Sequence, residues 1–156
     1  MRGSVEDDSI PVRVAGAFFP PTDLLNYGIE SQTILDYLSQ TFGISDPSFQ
    51  FFSEGANGIR EQITDRDVLL GKLSELSPIE YVSPGDPPTI LIHGSADENV
   101  PIQQSERFLQ RLNGSNVPAE LVIREGQAHA YPGWEADSTL LADWFDRYLI
   151  GSPEDP

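Results

Sequence analysis

Residues 89–101, TILIHGSADENVP, are the clearest indication of the fold in this sequence. It follows Pro87 and Pro88 and opens with five nearly all-apolar residues, 89–93. Such continuous apolar character is typical of a strand that is covered on both faces in a parallel sheet. A loop over residues 94–100 follows, and a helix is predicted from about Pro101 to Leu112, because proline is tolerated in the first turn of a helix.

The same order of elements is repeated further along the chain. A second strand is predicted over residues 119–124, a second loop over 125–133, and a last helix from about Asp137 to Ile150 with an apolar stripe at helical spacing. Residues 88–150 are therefore predicted to form a right-handed βαβ unit with a trailing helix. The predicted class is α/β, with a mostly parallel sheet and helices on both faces in three αβα layers.

The beginning of the chain predicts one more strand. Residues 12–19, VRVAGAFF, are apolar enough to be buried, and Pro20 and Pro21 end the run because proline cannot continue a central ladder. Residues 1–9 and 151–156 are polar and are expected to be frayed. The chain, 1–156, is therefore predicted to be a single domain.

Residues 29–76 predict a helical excursion or lid-like insertion. A first helix is expected over about 29–42 with Gly43 as its stop, and a second helix runs to Leu76. The segment 44–63 between them is predicted to be irregular, and its aromatic residues could line an acyl pocket or belong to the core. The cap of the second helix is Thr64 or Asp65.

Two polar residues follow the strands of the predicted βαβ unit. Asp97 lies in the first post-strand loop and His129 in the second. The carboxyl ends of neighbouring parallel strands meet at one edge of a sheet, where such folds place their chemistry. A carboxylate beside an imidazole there would fix the ring tautomer and stabilise the imidazolium formed in catalysis. The alternatives are a turn or cap role for Asp97 and an ordinary surface position for His129.

The other candidate groups are few. His93 ends the first strand, so its ring is expected to be structural at the sheet edge. The chain has no cysteine and only two histidines, which excludes thiolate zinc sites and disfavours a multi-histidine metal site. We expect no metal or cofactor.

The charge of the chain is strongly one-sided. Nine Lys and Arg residues stand against 25 Asp and Glu residues, a formal net charge of −16. Such a surface repels phosphate backbones and disfavours nucleic-acid binding, and it indicates either solubility or a salty environment. No apolar run approaches the roughly 18 residues of a membrane span. The sequence assigns no compartment.

Several motifs together resemble one family. The segment 88–97 with Val100-Pro101 looks like the acid segment of esterase- and lipase-type α/β-hydrolases related to the prolyl oligopeptidase (S9) catalytic domain. Gly126-Gln127-Ala128-His129 with Trp134 resembles the histidine loop of that family, 141–145 its last helix, and 18–24 the strand and loop after its nucleophile helix. The resemblance implies a Ser/Asp/His triad in which Asp97 is the acid and His129 the base.

The nucleophile of that triad is missing from the sequence. The family carries its serine in a Gly-x-Ser-x-Gly elbow between a strand and a helix, and no such motif occurs here, nor does an oxyanion segment of the His-Gly-Gly type. The resemblance therefore implies the C-terminal part of an α/β-hydrolase, an incomplete fold that hydrolyses no ester alone. It would leave a sheet edge uncovered around residues 12–19, which predicts dimerisation or aggregation.

The resemblance leaves several functions open. The leading one is a carboxylic-ester hydrolase whose substrate is a small ester, for example an acetylated or feruloylated sugar. An S9-type serine peptidase fragment and a non-catalytic α/β interaction module are the alternatives. A nucleotide binder is disfavoured because no glycine-rich phosphate loop is present.

Overall fold

A computed structural model describes residues 11–44, 51–54, 58 and 60–150. The two termini expected to be frayed, and Phe49 of the aromatic segment, lie outside these residues. No helix in the described part of the chain is long and apolar enough to cross a membrane.

The described chain has five strands and four α-helices. They are β1 (Ala15–Phe18), α1 (Ile34–Phe42), β2 (Phe52–Glu54), β3 (Arg60–Gln62), α2 (Arg66–Leu76), β4 (Thr89–Gly94), α3 (Gln103–Gly114), β5 (Ala119–Arg124) and α4 (Ser138–Leu149). Short 3-10 helices at Pro78–Tyr81 and Trp134–Asp137 precede β4 and α4.

The main sheet has the order β1-β4-β5, and both pairs are parallel. All six residues of the central strand β4 are buried. Ile90 and Ile92 pack against Trp144 of α4, whereas Leu91 faces Phe108 and Leu112 of α3 on the opposite side. The predicted α/β class, with a parallel sheet covered by helices on both faces, is confirmed.

One flank of the sheet is less covered. Within the described residues, β1 pairs only with β4, so it forms an edge of the sheet. A largely apolar groove of about 320 Å³ lies beside β1 and is lined by Ala15, Ala17, Pro20 and Leu91 among others. Val12, predicted as part of this strand, is 69% exposed, and β1 begins only at Ala15, where pairing with Thr89 begins.

The helical prediction for residues 29–42 starts too early. Gly28 and Ser31 have φ values of +86° and +63°, which a right-handed helix excludes. The helix α1 begins at Ile34, where Thr33 and Asp36 form a reciprocal capping box. It ends as predicted at Gly43, whose φ of +66° suits the left-handed cap that glycine adopts without strain.

The segment 44–63 is not wholly irregular. Its described residues contain an antiparallel pair, β2 with β3, in which Phe52 is opposite Gln62. All six residues of the pair are exposed, so the sequence has no alternation of buried and exposed positions that would predict these two strands. The following helix α2 begins, as predicted, after an Asp65 cap whose carboxylate accepts the Val68 N–H.

The helix α3 also begins later than predicted. It starts at Gln103, two residues after Pro101. Its Gln104 is fully buried and accepts the backbone N–H groups of Thr22 and Asp23 at 2.9 and 2.7 Å. These bonds hold the loop after β1 against α3.

Candidate active site

Asp97 lies in the loop after β4 with its side chain fully buried. Its Oδ1 accepts the backbone N–H groups of Asn99 and Val100, each at 2.9 Å. Its Oδ2 is 2.8 Å from Nδ1 of His129. The turn role and the pairing with the histidine are therefore not alternatives, because one oxygen fixes the turn and the other faces the ring.

His129 lies in the loop after β5, and its side chain is 31% exposed. A carboxylate oxygen only accepts hydrogen bonds, so Nδ1 carries the proton. Among the described residues, Nε2 has no hydrogen-bond partner, and the residue lines a cavity of about 330 Å³ together with Ala96, Glu98, Asn99 and Ala128. The neutral ring can therefore accept a proton at Nε2.

The His129 ring is also held from its flank. The ring of Phe19, at the carboxyl end of β1, lies 4.6 Å from it, centroid to centroid, and tilted by 57°. Phe19 has a φ of +38°, a strained conformation for a bulky residue. The residue that follows the edge strand β1 thus contributes an aromatic wall to the site.

An ion pair anchors the loop that carries His129. Arg124 donates from Nε and Nη2 to the Asp137 carboxylate at 2.9 and 2.6 Å, and the Tyr131 hydroxyl donates to the same carboxylate. The Arg124 hydrogen bond is the main cause that lowers the pKa of Asp137, and burial is the main cause that raises the pKa of Tyr131. The loop is therefore fixed on both sides of His129.

His93 is fully buried, unlike His129. Its Nδ1 is 2.7 Å from the Ser105 hydroxyl and its Nε2 is 2.8 Å from the Val100 carbonyl. Burial lowers the pKa of its imidazole, so the ring stays neutral. With both nitrogens occupied, His93 has no group free to contact a substrate.

Two tyrosines that the sequence did not single out also hold the acid loop. The hydroxyl of Tyr37, on α1, donates to the Glu98 carbonyl at 2.6 Å, and that of Tyr27 donates to the Asn99 carbonyl at 3.2 Å. Burial is the main cause that raises the pKa of both phenols. Their partners are main-chain carbonyls, which leave no signature in the sequence.

The serines and acids of the described residues add no further catalytic group. The Ser95 hydroxyl donates to Glu125 and accepts the Gly126 N–H, and within the described ranges no serine hydroxyl is bonded to His129. The same residues contain no group of three or more His, Asp or Glu side chains that could hold a metal ion.

Comparisons with known proteins identify the family to which the chain belongs. The sequence profile of the prolyl oligopeptidase family matches residues 26–151. The chain is 31% identical over 81 residues to the acylamino-acid-releasing enzyme of Rattus norvegicus. It is also 31% identical over 84 residues to the isoprenylcysteine alpha-carbonyl methylesterase ICME of Arabidopsis thaliana. These alignments cover 50% and 54% of this chain but only 11% and 16% of the two relatives.

Among solved structures, a truncated form of a carbohydrate esterase from gut microbiota is similar in fold. The TM-score is 0.56 at 18% sequence identity, and the match covers 88% of this chain and 42% of that chain. The chain thus spans less than half of a solved structure that it resembles.

Proposed function

Because the chain belongs to the prolyl oligopeptidase family, we propose that it is the acid- and base-bearing part of a serine hydrolase that cleaves carboxylic esters. The family and the partial α/β-hydrolase fold are those that the sequence predicted. One observation carries the proposal. The buried Asp97 carboxylate lies 2.8 Å from Nδ1 of His129, while His129 Nε2 is left free beside a cavity.

The proposed reaction follows from that geometry. His129 Nε2 takes the proton of a serine hydroxyl as the serine oxygen attacks the ester carbonyl carbon. The imidazolium formed is stabilised by Asp97, which stays ionised. The same Nε2 proton then passes to the leaving alkoxide, and water repeats the sequence to release the acid.

The serine is proposed to come from outside these 156 residues. The sequence contains no Gly-x-Ser-x-Gly elbow, and the chain covers only a small part of its curated relatives. Without a nucleophile and oxyanion donors, the chain alone is expected to hydrolyse no ester above background.

A peptidase is the second candidate, supported by the similarity to an acylamino-acid-releasing enzyme. The similarity to a methylesterase at the same identity supports the ester substrate. The assay uses the protein that contains this chain together with its in-frame upstream sequence. Its turnover of an acetyl ester is compared with its turnover of an N-acylaminoacyl anilide, which distinguishes the esterase from the peptidase. Faster relative cleavage of the ester supports the esterase, and cleavage of the anilide alone favours the peptidase.

The test of the proposed function uses p-nitrophenyl acetate. We expect this chain and its His129→Ala variant to give the same background rate. With the upstream sequence present, we expect turnover that His129→Ala abolishes and Asp97→Asn lowers by about 10⁴-fold, as a wrong tautomer does in serine hydrolases. Asp143→Asn, on an exposed position of α4, is the matched control and should keep full activity.

Two results would contradict the proposal. Turnover by the chain alone that is lost in His129→Ala would mean that these residues contain a nucleophile. An upstream region without a serine elbow, or turnover unaffected by Asp97→Asn, would instead favour a non-catalytic interaction module.

A further inference from the structure

A continuous series of hydrogen bonds joins the core of the molecule to the proposed base. Ser105, in the first turn of α3, is 2.7 Å from His93 Nδ1, and His93 Nε2 is 2.8 Å from the Val100 carbonyl. The Val100 N–H donates to Asp97 Oδ1 at 2.9 Å. Asp97 Oδ2 in turn accepts from His129 at 2.8 Å.

The chemistry of the partners fixes the direction of each bond. A backbone carbonyl only accepts, so His93 must carry its proton on Nε2. Its Nδ1 is then an acceptor in the neutral ring, and the Ser105 hydroxyl must donate to it. Ser105 and His93 are both fully buried, with a relative exposure of 0% each. Bulk water therefore does not compete for the hydrogen bond between them.

Val100 is the link between the two histidines. Its carbonyl is held by His93 and its N–H is held by Asp97, so the position of this residue sets the position of the carboxylate. His93 Nε2 also lies 3.4 Å from Asp97 Oδ2, the oxygen that faces His129. A displaced His93 ring would therefore disturb both oxygens of Asp97.

From this geometry we propose that His93 is a positioning residue for Asp97, locked by Ser105 as the Nε2–H tautomer so that the Asp97 carboxylate stays aimed at His129. The proposal goes beyond the assignment of acid and base, and only its catalytic meaning rests on the proposed function. The proposal predicts which ring nitrogen carries the proton in His93 and in His129. It can therefore be tested on this chain without any turnover.

The experiment is long-range ¹H–¹⁵N correlation NMR of the ¹⁵N-labelled chain at a pH where both rings are neutral. We expect His93 as the Nε2–H tautomer and His129 as the Nδ1–H tautomer, with a downfield, slowly exchanging Nδ1 proton on His129. In Ser105→Ala, the His129 proton should be lost or broadened, because Asp97 is less well held. Ser39→Ala, at an exposed position of the helix α1, is the matched control and should leave the His129 signals unchanged.

Two results would overturn the proposal. One is a wild-type His93 that carries its proton on Nδ1, which decides the matter even if Ser105→Ala does not fold. The other is a folded Ser105→Ala, judged by its amide spectrum, in which the His129 signals are unchanged. Failure of the ester assay with these NMR signatures intact would contradict the proposed function and leave the positioning role standing.

Discussion

The close approach of the two site loops gives Gly94 the tightest backbone contact of the glycines in the described residues. Gly94 ends β4, and a Cβ built on it would lie 2.8 Å from the Gln127 carbonyl carbon, 3.0 Å from the Ala128 oxygen and closer still to the Gln127 oxygen. These are backbone atoms of the loop that carries His129, so no side-chain rotation can relieve the contact. Gly94→Ala must push that loop away from β4.

The cost can be worked from two contributions. Overpacking in a well-packed region typically costs about 1–3 kcal/mol, and a contact with rigid backbone belongs at the upper end. Separating the loops also breaks the hydrogen bond from Ala96 N–H to the Gln127 carbonyl, 2.9 Å long, for about 1 kcal/mol. Together the two contributions give a loss of about 4 kcal/mol in the free energy of unfolding, which corresponds to a fall in Tm of about 8–16 °C for a chain of this size.

Circular dichroism during thermal and urea unfolding measures this loss. Gly71→Ala is the control of opposite sign, because Gly71 lies inside α2 with no atom within 4 Å of a new Cβ. Alanine in that helix should raise stability by about 1 kcal/mol. A Gly94→Ala variant as stable as the wild type, with the His129 Nδ1 proton unchanged, would show that the two loops are not packed against each other as described.

Three further predictions concern other parts of the chain. Arg107→Ala leaves the buried Asp23 carboxylate without its cation, 2.9 Å away, but with its hydrogen bonds from Asn26, and should cost about 1.5–3 kcal/mol in urea unfolding. Arg66→Ala, in an exposed pair, should cost less than about 1 kcal/mol. Burial lowers the pKa of His93 in the folded chain, so the unfolded chain binds the proton first as the pH falls. The free energy of unfolding should therefore be highest above the unfolded pKa near 6.5 and should decrease below it. A free energy of unfolding that increases on acidification from pH 7 would contradict this. The uncovered edge at β1 should make the chain associate with increasing concentration in light scattering, and a strictly monomeric species would argue against that.

The sequence predicted the elements whose cause is local. The apolar run of β4 predicted a strand covered on both faces. Gly43 predicted the end of α1 because glycine adopts the left-handed cap, and Asp65 predicted the start of α2 because its carboxylate can cap a helix. Asp97 and His129 could be singled out because each follows a strand of one parallel pair. Their separation of 2.8 Å needed the structure.

Two kinds of feature could not be predicted from the sequence, namely a local backbone conformation and contacts between distant segments. The positive φ of Ser31, which delays α1, has no marker in a stretch with a helical apolar pattern. The tyrosine and histidine groups that fix the acid loop all bond main-chain carbonyls, as Tyr37 does at Glu98. Any residue can supply such a carbonyl, so spacing arguments do not find these pairs.

The order of strands in the sheet has a consequence for how the molecule folds. Thr89 of β4 pairs with Ala119, 30 positions away, and with Ala15, 74 positions away. Closing the longer loop costs about 0.8 kcal/mol more in chain entropy for the difference in length alone. We therefore expect β4, α3 and β5 to form the folding nucleus, and β1 to dock afterwards. The loops bearing Asp97 and His129 belong to that early unit, whereas the aromatic wall of Phe19 is the late arrival.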